Sequence, residues 1–314
     1  MSRAVIAALA LVGAAGGACA QDNFPAKPVR ILATEAGGSA DLYARIIARG
    51  LSSRWDRQVI VENRPSIIAI ETLIHALPDG YSILCYASGL WIGPLLHQGT
   101  YDPIKDVTPI SIATTAPNIL VVNPAVAAKS VQELIALAKA KPGQFNYGSG
   151  GAGSGAHIAS ELLNYMAGIN IVRVPFKGAG PATNAVVAGD VHMIFSTVGI
   201  VGPHMKAGRL RGLAVTTLKP SVLVPDLPTI ASVLPGYEST QIQGIFGPAK
   251  QPPALTRRIS QDIAAVLAQQ EVKERFLAVS AEAVGSTPEE LAQAMKSEMA
   301  RLGKVFKAGG IKQE

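Results

Sequence analysis

Short apolar runs alternate along this chain with amphipathic stretches, and glycine-rich turns separate them. Residues 28–34, PVRILAT, read as a β-strand. The turn EAGGSA follows, then DLYARIIARGLSSRW, in which Leu42, Ile46, Ile47 and Leu51 recur on one helical face. RQVIVEN predicts a second strand, SIIAIETLIHAL after Pro65 a second helix, and YSILCYAS after the Asp79-Gly80 turn a third strand. The second half repeats the plan. QFNYGS is a strand, GGAGSG a turn and AHIASELLNYMAG a helix. INIVRVPF, KGAG and PATNAVVAG give strand, turn and helix again, and Gly189-Asp190 turns into VHMIFSTVG.

Alternation of this kind, with turns this short, predicts mainly parallel sheets flanked by helices. Two repeats of it predict two α/β lobes. NILVVNP (118–124) and STQIQGIFGPA (239–249) are the expected connections. Residues 21–121 then form the first lobe, 122–243 the second, and 244–314 return to the first. In the returning segment TRRISQDIAAVLAQQEVKERFLAV predicts one helix, with Ile259, Ile263, Val266 and Leu267 on one side. Thr287 as cap, Pro288 in the first turn and Glu290 three residues after the cap start a last helix.

The first twenty residues, MSRAVIAALALVGAAGGACA, do not fit this plan. One Arg, an apolar run and Ala18-Cys19-Ala20 have the form of a secretory signal peptide cleaved near Ala20. Lipidation at Cys19 is the alternative, although Gly16-Gly17-Ala18 is a poor lead-in to an acylated cysteine. Cleavage leaves Cys85 as a single thiol inside YSILCYAS, expected to be buried and inert. The 314 residues are 48% hydrophobic and 16% charged, which suits a large buried core. The net charge of +6 raises the question of nucleic acid. Its Lys and Arg residues are scattered and aromatics are 5%, so a solvated basic surface with mild attraction for small anions is expected instead.

The glycine turns carry the candidate chemistry. A strand-to-helix turn ends at amides that have no partner within the helix, where the helix dipole adds about half a positive charge. Glycine and serine let a ligand reach those amides. Such turns occur at residues 35–40, at Gly148 to Gly155 and at Lys177-Gly178-Ala179-Gly180. Facing each other across a cleft, they would grip a small anion. Gly148, Gly150 and Gly153 also satisfy G-x-G-x-x-G, but IVRVPFKG lacks the acidic residue a dinucleotide ribose needs, so an oxidoreductase is the weakest reading. No Gly-Lys-Ser/Thr or G-x-S-x-G occurs, and His75, His97, His157, His192 and His204 have no metal-ligand spacing, so neither cofactor nor metal is expected.

Single residues are read two ways. Ser149 and Ser154 serve turn geometry and, in an anion loop, would also donate. His157 is either a capping or surface histidine or a ligand contact. Lys177 is a solvated lysine or the charge partner of a carboxylate. Ser196 ends the strand HMIFST, where its hydroxyl can face a site, and Ser88 holds the matching place in the first lobe. Asp41 is expected in a first helical turn.

The ordered motifs PAKPVRILATEAGGSADLYARIIA, QVIVENRP, PDGYSIL, YDPIKDVTPISI, NILVVNP, KSVQELIALAKAKPGQFNYGSGGAGSGAHIASELL, VPFKGAGPATNAVVAGDVHMIF, GRLRGLAVTT, VPDLPTI and VGSTPEEL resemble the tripartite tricarboxylate transporter receptors, the Bug-type periplasmic solute-binding proteins. The resemblance covers essentially everything after the leader. It implies a two-lobed periplasmic-binding-protein type II fold, a Venus flytrap without catalysis. It also implies capture of a small organic acid, delivery to integral-membrane transporter subunits, and a monomer in the periplasm. By position it implies ligand contacts from Gly37, Gly38, Ser39 and Ser88 in one lobe. In the other it implies Ser149, Gly150, Gly151, Gly153, Ser154, His157, Lys177, Gly178 and Ser196. A module presenting the same closed shape to a membrane signalling partner is the alternative. Three departures are visible. Glu35-Ala36-Gly37-Gly38 stands where the family usually has Pro-Gly-Gly and puts a carboxylate at the mouth that would repel an anion unless it points away. Ile67 and Ile68 replace loop glycines, which would give that lobe an apolar wall or weaken its grip. Ser196 stands where amine-binding members place Asp, which favours a plain mono- or dicarboxylate.

Overall fold

The computed structural model describes residues 24–34, 36–96, 100–150, 154–176 and 178–308. In chain order the first group of elements is β1 (Val29–Ala33), α1 (Ser39–Trp55), β2 (Val59–Asn63), α2 (Ser66–Ile74), β3 (Ser82–Ala87), α3 (Gly89–Leu96) and β4 (Val107–Ala116). The second is β5 (Asn118–Val122), α4 (Val131–Ala140), β6 (Asn146–Ser149), α5 (Gly155–Ala167), β7 (Val172–Pro175), α6 (Ala179–Ala188), β8 (Met193–Thr197), α7 (Val198–Lys206) and β9 (Arg211–Val215). The chain closes with β10 (Gln241–Pro248), α8 (Pro253–Leu267), α9 (Gln270–Ala278), β11 (Glu282–Ala283) and α10 (Pro288–Ala308).

Two sheets result, ordered β11-β4-β10-β3-β1-β2 and β7-β6-β8-β5-β9. The βα alternation produces the parallel part of each, β2-β1-β3 and β7-β6-β8. The crossing strands enter from the opposite lobe and so run antiparallel: β10 pairs with β3 and β4, and β5 pairs with β8 and β9. Both sheets are therefore mixed. β4 ends in the first sheet at Ala116 and β5 opens the second at Asn118, so Pro117 spans the gap; the chain returns through residues 238–240 into β10.

One apolar core surrounds the second sheet, with Tyr147, Phe195 and Tyr237 at its centre. Two others cover the faces of the first sheet, one around Ile47, Ile83 and Phe276 and one around Trp91, Phe246 and Leu302. In α1 the buried apolar residues are Ala40, Tyr43, Ala44, Ile47, Ala48 and Leu51, while Leu42 is 41% exposed. The covered face is rotated from the expected one, and α8 packs against it so closely that a Cβ at Gly50 would lie 2.2 Å from Val266. The single helix expected after residue 255 is two, α8 and α9. Val272 and Phe276 of α9 are buried, and the Phe276 ring sits 5.6 Å from Tyr43, so burial reorients a segment whose local pattern would continue. The last helix starts as expected: Thr287 Oγ1 accepts from Glu290 N at 3.2 Å and Glu290 Oε2 accepts from Thr287 N at 2.8 Å. Leu291, Met295, Leu302 and Phe306 of α10 join the first-lobe core and Val305 joins the second. Residues 1–20, with their expected cleavage site, lie outside the described residues.

Candidate functional site

Between the lobes lie two adjoining cavities, about 470 Å³ on the second-lobe side and about 240 Å³ on the first-lobe side. Ser39, Tyr43, Ala116, Gly155 and Gln241 line both. Ala87, Ser88, Gly89, Ile92, Thr114, Ile158, Ile242 and Gln243 complete the smaller. Asn118, Gly150, Ser154, Ala156, Gly178, Ala179, Phe195, Ser196, Thr197, Gly199, Ile200, Val279 and Ser280 complete the larger. This is the crevice at the carboxyl ends of parallel strands where open α/β sheets bind ligands.

The first turns of five helices, α1, α3, α5, α6 and α7, open onto this space. Three of them, α1, α6 and α7, have caps (Gly38, Gly178, Thr197) that make no side-chain hydrogen bond to the helix. No cap side chain therefore occupies their first-turn amides among the described residues. Among the described lining residues none is Asp, Glu, Lys or Arg. The wall is thus electropositive through main-chain dipoles rather than side-chain charge. Ser196 adds a side-chain donor. It is 3% exposed, and its Oγ has no hydrogen-bond partner among the described residues. A buried hydroxyl left in this state costs stability, and a ligand oxygen would satisfy it.

The floor is tied across the lobes. Gln241 Nε2 donates to Asn118 Oδ1 and Asn118 Nδ2 to Ser239 O, each at 3.4 Å, while Asn118 N donates to Thr216 Oγ1 at 3.0 Å. With its amide oxygen turned to β3, Gln243 accepts from the Tyr86 and Ala87 amides at 3.2 Å.

The expected site residues separate into groups. Ser39, Ser88, Gly150, Ser154, Gly178 and Ser196 line the cavities. Ser154 also caps α5, accepting from His157 N. Gly37 and Gly38 do not line them. Gly37, at φ +81°, donates its amide to Asp41 Oδ2 at 2.9 Å, and Gly38 O accepts from Leu42 N as the cap of α1. Asp41 itself is 3% exposed. Burial alone would raise its carboxyl, but hydrogen bonds from Arg45, Gly37 N and Asn63 outweigh this and hold it below the ordinary value. It stays ionised and anchors the first loop. Ser149 is fully buried, and its hydroxyl is occupied by Arg173 Nε at 2.8 Å and by the Gly150 carbonyl at 3.1 Å. His157 is buried within the second lobe, its imidazole pushed down to about 4 by burial and by the Arg173 charge, so it is neutral. Glu35, Gly151, Gly153 and Lys177 lie outside the described residues.

Ile67 and Ile68 are not a cleft wall. They are 45% and 41% exposed, because α2 turns Ala69, Ile70 and Leu73 to the sheet. The apolar surface of the smaller cavity comes from Ile92, Ile158 and Ile242, and that of the larger from Phe195, Ile200 and Val279. Sequence reasoning missed these, along with Tyr43, Thr114, Asn118, Gln241, Gln243 and Arg173. A polar residue opening an apolar strand, as Asn118 opens NILVV, was the available signal.

A crevice between two mixed α/β sheets, walled by helix N-termini, defines a two-lobed solute-binding protein. The family described as the tripartite tricarboxylate transporter family receptor matches residues 43–311, and the chain belongs to that family. These are substrate-binding receptors rather than enzymes. The chain is 33% identical over 313 residues to the UPF0065 protein in the tcbD-tcbE intergenic region of Pseudomonas sp. (strain P51), covering 97% of this chain and 93% of that one. Among solved structures it resembles R. palustris Rpa4515 with adipate, at 30% identity and a TM-score of 0.74, over 91% of this chain and 98% of that one. It also resembles the periplasmic binding protein BugD, at 26% identity and a TM-score of 0.71, over 93% and 100%.

Proposed function

We propose that the protein is exported to the periplasm and, as a monomer, captures a small organic carboxylate between its lobes for a tripartite tricarboxylate-type membrane transporter. The observation that carries this reading is the convergence of five helix N-termini on a cleft whose described wall has no charged side chain. Main-chain amides suit a carboxylate, and their fixed placement avoids the desolvation cost a buried lysine would bring. Ile92, Ile158 and Ile242 beside them suit a methylene chain, so a linear mono- or dicarboxylate is the favoured class. The Rpa4515 structure holds adipate, an acid of this kind. Burying the ligand between the lobes would favour the closed shape, which the transporter subunits would read.

A thermal-shift screen tests this. The protein starting at Gln21 is melted with mono-, di- and tricarboxylates and aromatic acids. A bound acid at about 100 times its Kd adds roughly 2.7 kcal/mol, equivalent to a rise of about 5 °C or more. Unmoved melting curves across the whole panel would overturn the carboxylate reading.

A further inference from the structure

The larger cavity has a charge behind its wall. Arg173 lies on β7, the edge strand of the second sheet. Its Nε donates to Ser149 Oγ at 2.8 Å and its Nη2 to Gly150 O at 2.9 Å. Ser149 Oγ bridges to the same carbonyl at 3.1 Å, and Phe176 N donates to Ser149 O at 2.8 Å. Among the described residues Arg173 forms no ion pair with a carboxylate. Nearby, the Tyr147 hydroxyl donates to Glu161 at 2.6 Å, and His157 is neutral at ordinary pH.

We propose that Arg173 is a positioning residue of the anion site, holding the Gly150 carbonyl away from the cleft and placing an unpaired positive charge behind that wall. The inference rests on the carboxylate reading above and deepens it. Gly150 lines the larger cavity, and a carbonyl oxygen turned into that space would repel an anion. The two-pronged hold on Ser149 and Gly150 uses two guanidinium nitrogens at once, which an ammonium cannot copy. The guanidinium is half-buried, so its field reaches the cleft partly through protein, where it is screened less than a fully exposed charge would be. His157 reports the same field, since the Arg173 charge helps to depress its imidazole.

Three forms of the protein separate hold from charge. Calorimetric titration with adipate compares the wild type, Arg173→Met and Arg173→Lys, with adipamide as the uncharged control. Arg173→Met should weaken adipate about tenfold or more and leave adipamide unmoved. Arg173→Lys, which keeps the charge but not the fork, should fall between the two. Nuclear magnetic resonance titration of the His157 imidazole should show its midpoint rising in Arg173→Met and holding in Arg173→Lys, an effect loop packing alone would not produce. Adipate affinity within twofold of wild type in folded Arg173→Met, or an unmoved His157 midpoint there, overturns the inference while leaving the carboxylate reading intact. If Arg173→Met does not fold, Arg173→Lys decides it: a three- to tenfold loss with an unchanged His157 midpoint supports the inference, and wild-type affinity overturns it. Wild-type protein that binds no acid of the panel removes both readings.

Discussion

Replacing Gly150 by valine separates the fold from the grip. A Cβ at Gly150 would meet Gly178 Cα and Ser154 Cβ at 3.5 Å and Ser154 Oγ at 3.6 Å, all ordinary contacts. Gly150 is not among the glycines with positive φ, so a side chain brings no backbone strain there. The same contacts show where the side chain goes: into the space between the first turns of α5 and α6, where the proposed anion would sit. The two γ-methyls would fill it. A hydrogen bond to a charged group is worth about 1.5–3 kcal/mol, so losing two costs about 3–6 kcal/mol and raises Kd by roughly two to four orders of magnitude. Stability should change by no more than about 1 kcal/mol, or about 2–4 °C in Tm. Titration with adipate, alongside circular dichroism and melting, reads both quantities. Gly150→Ala, one methyl rather than three carbons, should fold and lose tenfold or less. A folded valine variant with Kd within threefold of wild type would refute the placement of the anion against these helix ends.

Two further substitutions probe other groups. Ser196→Ala removes a buried hydroxyl with no partner, so the ligand-free protein should gain about 1 kcal/mol while acid affinity falls about tenfold; paired melts and titrations check this, and unchanged affinity would remove Ser196 from the site. Glu298 on α10 is 7% exposed, and burial pushes its carboxyl up to about 7, although Trp91 Nε1 donates to it at 2.7 Å and Arg301 lies near; Glu238 adds to the rise. The unfolded chain ionises this group near its ordinary 4.5 while the native protein still holds the proton. Stability from Glu298 is therefore full below pH 4.5 and is lost as pH rises to about 7, by about 3 kcal/mol in total. Urea unfolding across that window should show the slope flattened in Glu298→Gln, and an equal slope in both proteins would contradict the assignment.

Much of the architecture was legible because it rests on local periodicity. Strands β1, β2, β3, β6, β7 and β8 and the helices that follow the glycine turns fall where apolar spacing and turn chemistry put them. The Thr287–Glu290 cap was legible for the same reason, since both partners lie within one helical turn. The site was only half legible. Glycine turns announce exposed amides, but they do not say which amides are already claimed. Gly37 N is taken by Asp41 in the first turn of the helix it leads into, and Ser149 Oγ by Arg173, which a separate strand, β7, brings alongside.

On its own, then, the amino-acid order determined the βα units, their duplication, the helix starts and the family to which the chain belongs. Packing decided the rest. It split α8 from α9 to bury Phe276, rotated α1 so that Tyr43 and not Leu42 faces inward, and brought Gln241 to the floor beside Thr114 and Asn118, more than a hundred residues earlier in the chain. The reason is physical: local pattern records how often a residue is buried and where a helix can begin, whereas the partner against which it is buried is set by distant chain, and a cleft is made of such partners.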